Sequence, residues 1–240
     1  MRGLPAGFLT VSAPSGTLLV KDGLSEPVAG LPKGILKGEP PEAETSQATA
    51  LMGRGFVAVV PMRAEGEQVV IRHYAHGGLW RKVAGDVLLG TRRPVRELVV
   101  AEAARLGGVP TAEALAAVVT KWFGPFYRAN LISRYIPDTT DLIAFLSGSL
   151  EGEVGGHSPP CMGVARTRAG IRAAAAAVAA MHRACILHAD LQLKNILVRF
   201  RPDGAAEAFV IDFDKSRVLP RLTVKQRMAN LMRLDRSATK

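Results

Sequence analysis

The chain has 240 residues, of which 48% are hydrophobic, and a formal net charge of +10. That length supports one large domain or two lobes with a real core, and the composition excludes a disordered or fibrous chain. The positive balance points to an anionic partner, either nucleic acid or a membrane surface carrying acidic lipids.

Two cysteines, Cys161 and Cys185, make no disulfide framework. They fit a reducing compartment and read as small buried apolar residues. Residues 1–20 contain Pro5, Gly7, Pro14 and Gly16 and no clean apolar core, unlike a signal peptide. No run approaches the roughly 20 apolar residues that span a bilayer. A cytoplasmic protein is expected, unless it adheres to a surface.

The first 50 residues are rich in Gly and Pro and read as strands and loops. Ala50 to Val60 then reads as strand, turn and strand, with Gly53 and Gly55 at the turn. Glycines two apart let backbone approach a phosphate, although an ordinary hairpin turn would use them equally well. Gln68 to Tyr74 is a further β-rich run containing the cation Arg72. Pro94 to Leu106 reads as a helix, with Val95, Leu98, Val99 and Ala103 at helical spacing. It offers Glu97 and Glu102 as partners for a nearby cation, Glu97 being the better placed. Asn130 to Pro137 reads as a strand leading into a break, and a helix starts over Asp141 to Leu146.

Gly148 to Pro160 reads as an exposed Gly/Pro/Ser-rich loop, with His157 as a plain loop histidine. Thr167 to Arg183 holds an alanine run that predicts a central buried helix, with His182 structural. Beyond it, Ile196-Leu197-Val198, the turn Pro202-Asp203-Gly204 and Phe209-Val210-Ile211 predict a hairpin. The last helix spans about Thr223 to Leu234, with Val224, Met228, Leu231 and Met232 near one face. From Lys215 onward the only acid is Asp235 against eight basic residues. Such a helix packs with a solvated basic face, touches an anionic membrane, or does both.

The chemistry concentrates in the stretch from His188 to Leu197, which reads H-x-D-L-x-x-x-N-I-L, and in Ile211-Asp212-Phe213-Asp214. A capping Asp and a turn Asn would be the plainer interpretation. The hairpin, however, places Asp190, Asn195 and Asp212 at neighbouring strand ends. Phosphoryl transfer from ATP needs a carboxylate to accept the hydroxyl proton, and an amide oxygen with a second carboxylate to hold magnesium. Asp190, Asn195 and Asp212 supply these groups in order, and the Asp190-to-Asn195 spacing is that of the protein-kinase catalytic loop. Arg72 then stands where such an enzyme carries a phosphate-gripping lysine. An arginine binds phosphate bidentately and stays charged, with Glu97 as its ion-pair partner. The expected fold is α+β, two-lobed and protein-kinase-like: a β-rich N-terminal lobe over residues 1–136 and a reduced, mainly helical C-terminal lobe over residues 137–240.

The chain also resembles the lipopolysaccharide kinases of Gram-negative bacteria, most of all the 3-deoxy-D-manno-octulosonic acid (Kdo) kinases. Gly53-Arg54-Gly55, Ile71-Arg72-His73-Tyr74 with Gly77-Gly78-Leu79, the His188-to-Leu197 loop, Ile211 to Lys215 and Asn230 to Leu234 carry the likeness. The resemblance implies transfer of the ATP γ-phosphate to a hydroxyl of Kdo on lipid A, at the cytoplasmic face of the inner membrane. It implies Asp190 as base, Asn195 and Asp212 as magnesium ligands, Arg72 on phosphate, and Gly53 and Gly55 over the nucleotide. It also implies that Asp214 assists the metal or orients Lys215. Only 28 residues follow Asp212, too few for the peptide-binding helices of a protein kinase, so no protein substrate is expected. Nucleic acid is not expected either, because aromatics are 5% and none interleave with the basic tail. A heptose or other small-molecule kinase, and a nucleotide-binding pseudokinase scaffold, remain as alternatives.

Overall fold

The structure is a computed structural model that describes residues 5–13, 16–37, 39, 57–62, 67–74, 87–155 and 160–239, the side chains of 13, 27, 149–155 and 160–162 excepted. Gly53 and Gly55, the Gly77-Gly78-Leu79 segment, His157 and the side chain of Cys161 lie outside the described residues. The chain divides into two compact units, Met1–Glu102 with Glu113–Tyr135 and Ala103–Ala112 with Ile136–Lys240.

The first unit is built on an antiparallel sheet. Its strands are β1 (Phe8–Ala13), β2 (Gly16–Lys21), β3 (Val57–Pro61), β4 (Gln68–His73), β5 (Leu88–Leu89), β6 (Ala114–Phe123) and β7 (Phe126–Arg134). The order is β1-β2-β6-β7-β4-β3, with β5 pairing β7. Burial alternates along β4: Val69, Ile71 and His73 point inward, while Arg72 lies on the opposite face. The inward face packs with Val60, Val118 and Ile132 and with Val28 and Ile35, from the short helices α1 (Ser25–Ala29) and α2 (Lys33–Leu36). These two helices lie in a region where the sequence suggested only strands and loops. Gly16 is dictated by contact: a Cβ there would meet Val119 O at 2.4 Å across the β2–β6 pair. Asn130 Nδ2 donates to Ile35 O at 2.8 Å and to Glu39 O at 3.0 Å, and its Oδ1 lies 2.8 Å from His73 Nδ1, which anchors α2 to the sheet. Helix α3 (Arg92–Leu106) begins two residues earlier than its apolar spacing predicts.

The second unit contains α4 (Leu142–Gly155), α5 (Pro160–Arg183), the β10–β11 hairpin (Ile196–Phe200 and Ala206–Val210) and α6 (Val224–Ala238). Asp141 caps α4, its Oδ1 accepting from Ile143 N at 2.9 Å and Ala144 N at 3.0 Å. The helix then runs to Gly155, so the predicted loop from Gly148 is a correction. Gly148 and Gly152 inside the helix cost about 1 kcal/mol each, and the capped apolar start Leu142 to Leu146 favours the helix against them. Phe145 of α4 sits against Gly170 of α5, where a Cβ would meet its ring at 2.5 Å, and its ring meets that of Phe200 of β10 in a tilted contact at 5.7 Å between centroids. The alanine run of α5 buries Ala174, Ala177, Val178 and Met181. Two minor pairings escaped the sequence: β8 (Thr140–Asp141) adds to β10, and β9 (Ile186–Leu187) pairs β12 (Arg217–Val218). Cys185 is only half-buried and has a left-handed backbone (φ 56°). Among the described residues, no helix is long and apolar enough to cross a membrane.

Candidate active site

The β10–β11 hairpin organises the carboxylate–amide set. Val210 pairs with Ile196, and Ile211 N donates to Asn195 O at 3.0 Å, so Asn195 and Asp212 flank the same end of the hairpin. Gly204 (φ 81°) closes the other end. Asn195 ends a single 3₁₀ turn, Leu193–Asn195, and is 5% exposed. Its Nδ2 donates to Asp190 O at 2.8 Å, which ties the two ends of the loop together and leaves the amide oxygen as its remaining polar atom. Gln192 Nε2 donates to Asp190 Oδ1 and so holds the carboxylate from its own loop. Asp212 adopts a left-handed backbone (φ 64°), which for a non-glycine residue costs about 1 kcal/mol or more. Asp214 N approaches its Oδ1 at 3.4 Å, a long Asx-type contact that eases the turn.

His188 is fully buried beneath this set. Its Nε2 donates to Ile211 O at 3.2 Å and its Nδ1 accepts from Asp190 N at 3.1 Å. The imidazole is therefore neutral, with its proton on Nε2, and it bridges the strand before Asp212 to the start of the Asp190 loop. Burial pushes its pKa below the ordinary value, and this outweighs the opposing pull of the Ile211 hydrogen bond and of Asp212 and Asp190. The ring also lies 5.4 Å from that of Phe213, which is buried.

Helix α6 grips the loop from outside. Asn230, fully buried, accepts from His188 N at 3.3 Å through Oδ1 and donates to His188 O at 2.6 Å through Nδ2. Arg233 Nη1 donates to the same carbonyl at 3.3 Å. Ser237 Oγ accepts from Leu193 N at 3.0 Å and donates to Leu234 O at 2.6 Å. Ser216, also buried, accepts from Ala189 N at 3.1 Å. The sequence singled out neither Ser237 nor Ser216, and it placed Asn230 and Gln192 only within segments that carry the family resemblance, with no role for either. One signal was present: Asn230 is a polar residue on the side of α6 away from Val224, Met228 and Leu231. A reciprocal Thr223–Gln226 capping box starts that helix at Val224.

In the first unit, Arg72 and Glu97 form an ion pair through Nη2 and Oε2. Glu97 is 2% exposed and also accepts from Tyr74 Oη at 2.5 Å. The Arg72 guanidinium lies 4.9 Å from the Tyr74 ring centroid, and that of Arg93 lies 5.3 Å from it. Glu102, the other acid of α3, faces Lys21 at 3.9 Å instead. Tyr74 was not anticipated as a member of this group. Among the described residues, no cluster of three or more His, Cys, Asp and Glu side chains is arranged to hold a metal ion.

The chain is similar to known proteins. The sequence model of the lipopolysaccharide kinase (Kdo/WaaP) family matches residues 49–240. A protein of Vibrio cholerae serotype O1 named 3-deoxy-D-manno-octulosonic acid kinase is 31% identical over 78% of this chain and 72% of its own. One of the same name from Pasteurella multocida is 29% identical over 73% of this chain and 67% of its own. Among solved structures, WaaP in complex with acyl carrier protein superposes with a TM-score of 0.50 at 18% identity, covering 79% of this chain and 72% of that one. At that identity the match speaks for the fold, which is α+β and protein-kinase-like.

Proposed function

Because this chain belongs to the lipopolysaccharide kinase (Kdo/WaaP) family, phosphotransferases that use ATP and an alcohol acceptor, we propose that it phosphorylates a hydroxyl of Kdo on a lipid A-type glycolipid in lipopolysaccharide inner-core biosynthesis. What chiefly supports this reading is the tie between Asp190 and Asn195 at one end of the β10–β11 hairpin, inside the span that the family matches. No protein or nucleic-acid substrate enters the reading.

Asp190 is the proton acceptor. The acceptor hydroxyl oxygen attacks the γ-phosphorus, the bond from that phosphorus to the β–γ bridging oxygen breaks, and ADP leaves with the electron pair. The hydroxyl proton passes to the Asp190 carboxylate, which Gln192 orients. Arg72, braced by Glu97, offers two parallel N–H donors to phosphate oxygens, and Gly53 and Gly55 cover the nucleotide. Residues 1–136 act as the nucleotide-covering lobe and residues 137–240 as the catalytic lobe.

The donor set fits magnesium. That ion takes oxygen ligands, and one or two carboxylates suffice beside substrate phosphates, so a dedicated protein cage is not required. Asn195 through its amide oxygen and Asp212 through its carboxylate would hold it, and when bound it neutralises developing phosphate charge. The acceptor and its setting are anionic. Outward on α6 stand Val224, Met228, Leu231 and Met232, between 41% and 77% exposed, beside Lys225, Arg227 and Arg236. Such a helix suits peripheral attachment to the cytoplasmic face of the inner membrane.

The test offers purified protein ATP with a Kdo–lipid A precursor, a heptosylated core and a control peptide, and reads ADP release and acceptor mass. Phosphate on Kdo is expected. Phosphate on heptose or peptide alone, or no turnover, refutes the reading.

A further inference from the structure

Among the described residues of the first unit, phosphotransfer leaves an exposed apolar group at one hairpin tip unused. At the tip of the β6–β7 hairpin, Phe123 pairs directly with Phe126, and Phe126 pairs with Leu89 of β5. Directly paired residues project from the same face of a sheet. Phe123, Phe126 and Leu89 therefore form a row across three strands, and they are 72%, 38% and 76% exposed. Trp122 beside them is 56% exposed, and the Arg128 guanidinium lies 5.7 Å from its ring centroid. A hairpin tip that only turned the chain would need none of these rings; Gly124 (φ 54°) and Pro125 already make the turn.

Among the described residues, the chain segments that flank the row carry charge of one sign. Gly90 N donates to Pro125 O at 3.1 Å, which seats the start of α3 beside the tip. Segments 87–96 and 120–128 together hold Arg92, Arg93, Arg96, Lys121 and Arg128, and no acid. The first acid of α3, Glu97, is buried against Arg72. Aromatic rings concentrate at the level of lipid headgroups, where apolar faces meet acyl chains and cations meet phosphates. A stacking surface for bases would use rings alone, whereas this row ends on an aliphatic leucine.

We propose that the β6–β7 tip with Leu89 is a membrane-docking wedge: Phe123, Phe126 and Leu89 enter the interface of an anionic bilayer while Lys121, Arg128 and Arg92 meet its phosphates. This rests on the reading that the acceptor is a glycolipid held in such a bilayer. The wedge seats the enzyme where its acceptor is concentrated, independently of helix α6.

The chain has two tryptophans, Trp80 and Trp122, so Trp80→Phe makes Trp122 the sole indole reporter. On vesicles of phosphatidylglycerol and phosphatidylcholine, its emission shifts to the blue and is quenched by lipids brominated on the acyl chain; pure phosphatidylcholine gives a much smaller response. Phe123→Ser with Phe126→Ser weakens vesicle binding by about tenfold or more, and so, more mildly, does Leu89→Ser, a change at a surface position that spares the fold. The serine variants keep the parent kcat on a water-soluble Kdo glycoside and lose rate only on glycolipid in vesicles. Sedimentation with vesicles without any Trp122 response overturns the proposal in favour of another face. A response that follows protein concentration without lipid, with dimers in sedimentation velocity, overturns it in favour of a second copy. A response to oligonucleotide but not to vesicles overturns it in favour of nucleic acid. Failure to phosphorylate the soluble glycoside refutes the function reading instead, and the fluorescence arms still decide the wedge.

Discussion

Asn230 holds both edges of a single peptide unit, accepting from His188 N at 3.3 Å and donating to His188 O at 2.6 Å. It does so from helix α6, 42 residues downstream. The residue that opens the Asp190 loop is thus fixed by the end of the chain.

Asn230→Ala removes both bonds and strands the buried His188 N, while His188 O keeps its bond from Arg233 Nη1. A loss of about 1–3 kcal/mol is expected, read as a lower midpoint in urea, with kcat reduced in the folded protein. Asn230→Asp keeps the acceptor, loses the donor to His188 O, and should behave almost as badly.

Arg72 and Glu97 should prove coupled. Arg72→Ala leaves Glu97 buried with a charge, and breaking such a pair from one side costs about 3–5 kcal/mol. Because Arg72 is itself about a quarter exposed, the lower part of that range is expected. Glu97→Gln keeps an acceptor for Tyr74 and should cost less stability while raising KM for ATP. A double-mutant cycle that returns no coupling energy would separate the two residues.

Stability should fall on mild acidification. His188 and His182 are both lowered from the ordinary value of 6.5, chiefly by burial. The unfolded chain therefore binds protons first, so stability is full above that value and declines as pH drops through and beneath it. Thermal midpoints from pH 7.5 to 5.5 measure the decline. A His188→Gln variant, less stable throughout, should show a shallower slope.

Asp190→Asn should lower kcat by on the order of 10²–10⁴ with little change in KM for ATP. Asn195→Ala and Asp212→Asn should instead raise the magnesium concentration at half-maximal rate. Equal effects of all three on magnesium dependence would contradict the division of roles.

Much of the architecture was legible because it is local. The alanine run of α5, the apolar spacing of α3 and the turn residues of the β10–β11 hairpin each specify an element within a few residues of chain. That Asp190, Asn195 and Asp212 fall near one end of the hairpin was legible for the same reason: one loop and one hairpin carry them. Arg72 and Glu97 could be named from chain order, because few elements separate β4 from α3.

What tertiary structure alone decided has contact partners far apart in sequence. Helix α4 ran through Gly148 and Gly152 because a cap and Phe145 packing against Gly170 and Phe200 outweigh modest local penalties. Tyr74 joined the Arg72–Glu97 pair only because α3 brings Glu97 against it. Asn230, Ser237 and Ser216 look like ordinary polar residues until folding carries them to His188, Leu193 and Ala189. Their bonds are to backbone atoms, which every residue has, so no side-chain pattern announces them. Motif spacing suggested which residues to look at; long-range hydrogen bonds to the main chain determine how rigidly their loop is held.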